Sequence, residues 1–138
     1  MPDEITRVDY YMGAIANKAG EGAKVLGALK EAGVNLAGFL GYPKTARLAE
    51  LVLVVAENTP GLPKVLKKVG LTLGKKCKGF LITGEDRVGA LAESMEKLAA
   101  AGINVVSTHG VTGGACRFGV IMAVDPKDAK KAAKALGV

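Results

Sequence analysis

Gly84-Glu85-Asp86-Arg87-Val88-Gly89-Ala90-Leu91, followed by Ala101-Gly102-Ile103-Asn104-Val105, decides how this chain is read, because a weaker copy lies 69 residues upstream. Asn17-Lys18-Ala19-Gly20 falls on Asp86-Arg87-Val88-Gly89, and Gly33-Val34-Asn35-Leu36 falls on Gly102-Ile103-Asn104-Val105. Between these landmarks Ala23, Leu29 and Ala32 match Ala92, Leu98 and Ala101. A shift one residue larger pairs Arg47 with Arg117, as a small length change in a turn would. The shift is half of the 138 residues, so one supersecondary unit is used twice.

Each half repeats the same order of elements. Val8–Ala16 is apolar and β-prone and predicts a strand, with Gly79–Thr83 as its counterpart. A helix follows in each half. In the second half Val88, Leu91, Ala92, Met95, Leu98 and Ala99 share one helical stripe; in the first, Ala23, Leu26 and Leu29 do. Gly22 and Gly27 weaken the first helix by roughly 1 kcal/mol each relative to Ala. Gly33 and Gly102 stand where a C-terminal cap is expected. Strands are then predicted over Val34–Gly41 and Leu48–Ala56, matched by Ile103–Gly110 and Phe118–Val124. Tyr42-Pro43-Lys44-Thr45 and Thr112-Gly113-Gly114 turn between them. Leu62, Val65, Leu66 and Val69, and later Ala129, Ala132, Ala133 and Leu136, mark a closing helix in each half, with Pro60 and Pro126 near the starts.

The order β-α-β-β-α, twice, with one more strand each, is the ferredoxin-like arrangement: an antiparallel sheet with helices on one face, in the α+β class. Two tandem modules are expected, 1–75 and 76–138. Leu71–Lys75 offers the first module its last strand and runs on toward Cys77–Thr83. The second module ends at Gly137-Val138 without one. Exposed sheet edges are normally covered, so Asp3–Arg7 or a second subunit is expected to close it.

Composition narrows the function classes. Nearly half of the residues are apolar, enough for a core. No apolar run approaches the roughly 20 residues of a membrane span. Met1-Pro2-Asp3-Glu4 lacks the basic start of a signal peptide, and Cys77 and Cys116 make no disulfide framework, so a cytoplasmic location is expected. The net charge of +6 rests mainly on lysines in Lys64–Lys78 and Lys127–Lys134. Such charge attracts nucleic acid non-specifically, but solvated helix faces explain it more simply.

The quoted segments resemble the signature of the ACT domain: a strand, a turn of the form D/N-R-P-G-x-L, a helix, then G-I/V-N before the second strand. Both copies lack the proline of the turn and carry Ala19 and Val88 there. The two copies together cover nearly the whole chain, and the likeness is to stand-alone tandem ACT proteins without a catalytic domain. The resemblance implies a regulatory protein, not an enzyme, that binds a free amino acid between paired modules and works as a homodimer. It also implies an unidentified regulated enzyme or protein as reader of the change. By resemblance, Asn17 and Asn35 stand where serine-sensing members hold the amino acid, and Asp86 and Asn104 are their partners in the second half. The surrounding turn and strand-start residues are Lys18, Ala19, Gly20 and Leu36, and Arg87, Val88, Gly89 and Val105.

The chemistry of those positions suits a zwitterion. An Asn side chain offers a donor and an acceptor, whereas an ionised Asp offers acceptors only. The first module is therefore expected to be better equipped than the second. Backbone N–H groups at Gly20 and Gly89, just before a helix, favour an anion. Against this, Gly20 and Gly89 can serve the turn alone, and Asn35 and Asn104 can serve as helix caps. His109 is the only histidine, so neither a zinc site nor a triad with Ser94 or Ser107 is expected, and no cofactor or metal is implied. Cys77 and Cys116 read as small buried side chains. Gly110–Gly114 fits no phosphate-binding motif and reads as a hairpin tip. Two other readings stay open: a nucleic-acid binder using Tyr10, Tyr11, Phe39, Phe80 and Phe118 as a stacking platform, and a ligand-free dimerisation scaffold.

Overall fold

The computed structural model describes residues 2–138. Twelve elements follow one another. The strands are β1 (Glu4–Ala16), β2 (Gly38–Pro43), β3 (Leu48–Ala56), β4 (Thr72–Leu73), β5 (Cys77–Glu85), β6 (Val105–Gly114) and β7 (Arg117–Val124). The helices are α1 (Glu21–Glu31), α2 (Leu62–Lys67), α3 (Ala90–Ala100) and α4 (Ala129–Leu136), the last entered through a single 3₁₀ turn at Pro126–Asp128. Contacts divide the chain into two compact units: Asp9–Lys76, here the N-module, and Met1–Val8 with Cys77–Val138, here the C-module.

In the N-module the strand order is β2-β3-β1-β4, with antiparallel pairing of β2 to β3 and of β1 to β4. Alternate residues of β1 and β3 (Tyr11 and Ile15, then Leu51, Leu53 and Val55) face one core. Val25 and Leu29 of α1 and Leu62 and Leu66 of α2 fill it from the other side. A strand exposes every second side chain to one face and a helix every third or fourth, so both patterns converge only if the helices share a face. Burying each such aliphatic side chain stabilises the fold by about 1.5–3 kcal/mol.

The C-module repeats this plan with the order β6-β7-β5-β1. Its core joins Phe80 and Ile82 of β5, Phe118, Val120 and Met122 of β7, Leu98 of α3 and Ala132, Ala133 and Leu136 of α4. Ile5 packs against the same core, and Arg7 Nη2 donates to the carbonyl of Val138 at 3.3 Å. The first residues of β1 thus supply the strand beside β5 in the C-module. The plan is two α+β ferredoxin-like modules with antiparallel sheets and helices on one face.

Several limits differ from the expected ones. β1 begins at Glu4, not Val8, because its first residues pair with β5, the first of the two ways in which that edge was expected to be closed. β2 begins at Gly38, and Gly33 and Val34, expected at or before its start, are spent closing α1. α2 spans only six residues, so Val69 lies beyond it in the closing turn.

Candidate ligand site

The turn after the first strand of each module has the same geometry. The N–H of Asn17 donates to the carbonyl of Arg47 at 2.8 Å, and the N–H of Asp86 donates to the carbonyl of Cys116 at 2.8 Å. These two pairs are related by the 69-residue shift. Each turn is therefore strapped to the hairpin of its own module. Gly20 and Gly89 follow at φ +90° and +77°, a left-handed conformation that L side chains resist. Neither helix has a side-chain N-cap; its first N–H bonds back to the turn instead, Glu21 to Lys18 O at 3.4 Å and Ala90 to Arg87 O at 3.2 Å.

The opposite end of each first helix is also repeated. The N–H of Val34 reaches Leu29 O at 2.9 Å and that of Gly33 reaches Lys30 O at 3.1 Å. Ile103 to Leu98 (3.0 Å) and Gly102 to Ala99 (2.9 Å) do the same. This is the six-to-one plus five-to-two closure of a helix by a glycine. Glycine and the following aliphatic residue close the helix, and the Asn side chains do not. Asn35 and Asn104 are exposed, and neither makes a side-chain hydrogen bond among the described residues.

The sequence-predicted residues therefore fall into two groups per module that the module does not bring together. Asn17, Lys18, Ala19 and Gly20 lie at the start of α1, and Asn35 and Leu36 at its end; Asp86, Arg87, Val88 and Gly89 stand likewise against Asn104 and Val105 across α3. Each helix has 11 residues, a separation of about 16 Å at 1.5 Å per residue.

At the turn of the C-module lies a cleft of about 430 Å³. Asp86, Arg87 and Gly89 line it with Ala90, Leu91 and Ala92 of α3, Gly110, Val111 and Thr112 of β6, and Phe118 and Gly119 of β7. Val88 points away, fully exposed. Arg87 is already engaged: Nη1 donates to Asp3 Oδ1 at 3.2 Å and to Glu85 O at 3.0 Å, and Nη2 donates to Asp3 Oδ2 at 3.1 Å. Glu93 is a second carboxylate at 3.8 Å, and the guanidinium sits 5.8 Å from the centre of the Phe118 ring. The hydrogen bond to Asp3 and the nearby carboxylates raise the Arg87 pKa above its ordinary value.

In the N-module, Asn17 Nδ2 donates to Thr45 O at 3.3 Å, which turns the side chain to the hairpin. Lys18 pairs with Glu21 at 3.7 Å, and Ala19 and Gly20 are exposed. Asn35 and Leu36 line a depression of about 410 Å³ with Leu26, Leu29, Lys30, Gly33 and Val34.

Sequence reasoning missed Asp3, Leu91 and Phe118. Asp3 lies 84 residues from its partner and carries no local signal. Gly110–Gly114 did carry one, its glycine content, and Gly110 lets Leu91 approach: a Cβ there would stand 3.0 Å from Leu91 Cδ1. The reading of both cysteines as buried is corrected: Cys116 is exposed at the β6–β7 turn, and Cys77 is half-buried at a strand start. His109 lies on β6 with Nδ1 at 3.4 Å from Ser107 Oγ. Among the described residues no cluster of His, Cys, Asp or Glu could hold a metal ion, and no helix is long and apolar enough to cross a membrane.

No family model matches the chain, and no curated protein matches it. Solved structures do. A protein of Bacteroides thetaiotaomicron is similar at a TM-score of 0.73 and 18% identity, over 97% of this chain and 91% of that one. The ligand-free regulatory subunit of aspartate kinase from Thermus thermophilus is similar at 0.68 and 18%, over 98% and 94%. The aspartate kinase of Clostridium acetobutylicum, an allosteric enzyme, is similar at 0.63 and 16%, over 96% of this chain but 33% of that one. At these identities the likeness concerns the fold, and the fold is that of two ACT-type modules in tandem. The second of these structures is a regulatory subunit.

Proposed function

We infer that the chain is a non-catalytic regulatory protein that binds a free amino acid where modules of two copies pair in a homodimer. The ligand acts by changing module geometry or assembly, and an unidentified enzyme or protein reads the change. Its likeness to a regulatory subunit over nearly the full length of both chains supports the regulatory part.

One observation carries the ligand reading. In each module the turn and the exposed Asn stand at opposite ends of an 11-residue helix, with the Asn free of any capping duty. An amino-acid backbone is far shorter than that helix, so one ligand can touch both groups only if the end of another module meets the turn. The outer strands β2 and β6 pair on one side only within their modules and expose Phe39, Tyr42, Val106 and Val111. Open edges with apolar side chains favour association with a second copy.

The nucleic-acid reading has less support, because Tyr10, Tyr11, Phe80 and Phe118 are buried and offer no stacking platform. Titration of the protein with each amino acid, alongside an Asn35→Ala chain, tests the reading. Binding by one or a few related amino acids is expected, with a loss of about tenfold or more in the variant, the worth of a hydrogen bond to a charged group. Unchanged affinity in the variant removes Asn35 from the site.

A further inference from the structure

The cleft of the C-module contains a cation that is already spoken for. The guanidinium of Arg87 forms one wall beside Phe118, and its two terminal nitrogens grip the carboxylate of Asp3 at 3.2 and 3.1 Å. A guanidinium fork matches one carboxylate in this two-point manner. A ligand carboxylate reaching for the same two nitrogens would have to displace Asp3. The seat is shaped for its occupant: a Cβ on Gly84 would run into the Asp3 carboxylate.

We propose that Asp3 is a built-in competitor for the carboxylate of a small amphipathic acid entering the cleft, and that filling the cleft unlatches the start of β1. This deepens the amino-acid reading and rests on it for the nature of the ligand. The cleft suits such a molecule, with Leu91, Val111 and Phe118 for an apolar part and Arg87 for the acid. The latch is weak enough to be opened. Arg87 is 42% exposed, and ion pairs in contact with water hold loosely. What it fastens is consequential, because the residue after Asp3 begins the strand that completes the C-module and continues into the N-module. Ligand at the turn and order at the first residues of β1 are thereby linked, and a ligand can shift such an equilibrium only by preferring one state.

Acetate, the smallest carboxylate, tests the seat in the full-length chain. Acetate is titrated against chloride at equal ionic strength, following the Arg87 side-chain and Gly89 amide resonances and the amide exchange of residues 4–8. A saturable shift is expected, with faster exchange at residues 4–8 as acetate binds. An Asp3→Asn chain should bind acetate roughly two- to fivefold more tightly, the range an exposed ion pair can withhold. An Arg87→Gln chain, followed at Gly89, should not respond. Equal acetate affinity with and without Asp3, no saturable shift in either chain, a response that survives Arg87→Gln, or exchange that ignores acetate would each overturn the proposal. If no amino acid binds while acetate behaves as expected, the amino-acid reading falls and the seat stands. Amino acids that bind the wild-type and Asp3→Asn chains equally would leave that reading and remove the seat.

Discussion

Gly20 and Gly89 hold φ at +90° and +77° with open space around the missing Cβ, so backbone conformation alone demands glycine there. Gly20→Ala and Gly89→Ala are each expected to cost about 1–2 kcal/mol of stability by urea denaturation; no loss would show that the turns relax without strain. Tyr42 lies opposite Glu50 in the β2–β3 pairing. Desolvation first, then the charge of Glu50 and a hydrogen bond to it, raise the Tyr42 pKa above 10.0. A phenol with a raised folded pKa keeps its proton more firmly when folded. Its contribution is therefore present below the unfolded pKa and lost as pH rises through the folded one. Denaturation between pH 9 and about pH 11 should show a smaller alkaline loss in Tyr42→Phe than in the wild-type chain; parallel losses would remove Tyr42 from that balance. At this scale the sequence was readable where a residue type is forced, as at the two glycines. It was silent where a side chain answers a distant partner, as Asp3 answers Arg87.

Among the elements, β1 carries the most. Its 13 residues are divided between the modules, and Ile5 packs on the C-module core. Deleting residues 2–7 should therefore destabilise the protein by about 1 kcal/mol or more, the worth of a half-buried aliphatic side chain such as Ile5. It should also change the assembly as the β5 edge opens. Calorimetry with light scattering checks both, and an unaltered melting profile and mass would mean that the edge needs no such strand. Apolar runs announced β3 and β7, and helical spacing announced α1 and α3 but not their buried faces: α1 buries Val25 and Leu29 and exposes Ala23 and Leu26, and α3 buries Ala90, Ser94 and Leu98 and exposes Ala92 and Ala99. The first residues of β1 were legible only as one of two ways to close the open edge, Asp3–Arg7 or a second subunit, and they pair there with β5. α2 fell short of its expected length because Gly70 reverses the chain at φ +83°, with its N–H bonded to Lys67 O.

For the molecule as a whole, the 69-residue repeat made the two-module plan legible before any contact was known. The strapped turns and glycine-closed helices repeat with it atom for atom in their hydrogen bonds. The candidate site was legible only in part: the motif named the turn and the Asn with a helix of about 16 Å between them, but not the Asp3 that meets Arg87. That separation is what ties ligand binding to pairing. The most direct measurement is a thermal-shift screen of the full chain against the twenty amino acids. Ligand at one hundred times its dissociation constant stabilises the folded state by about 2.7 kcal/mol, so one amino acid or a few related ones should raise the melting temperature clearly. A flat screen into the millimolar range would contradict amino-acid sensing and leave a ligand-free scaffold.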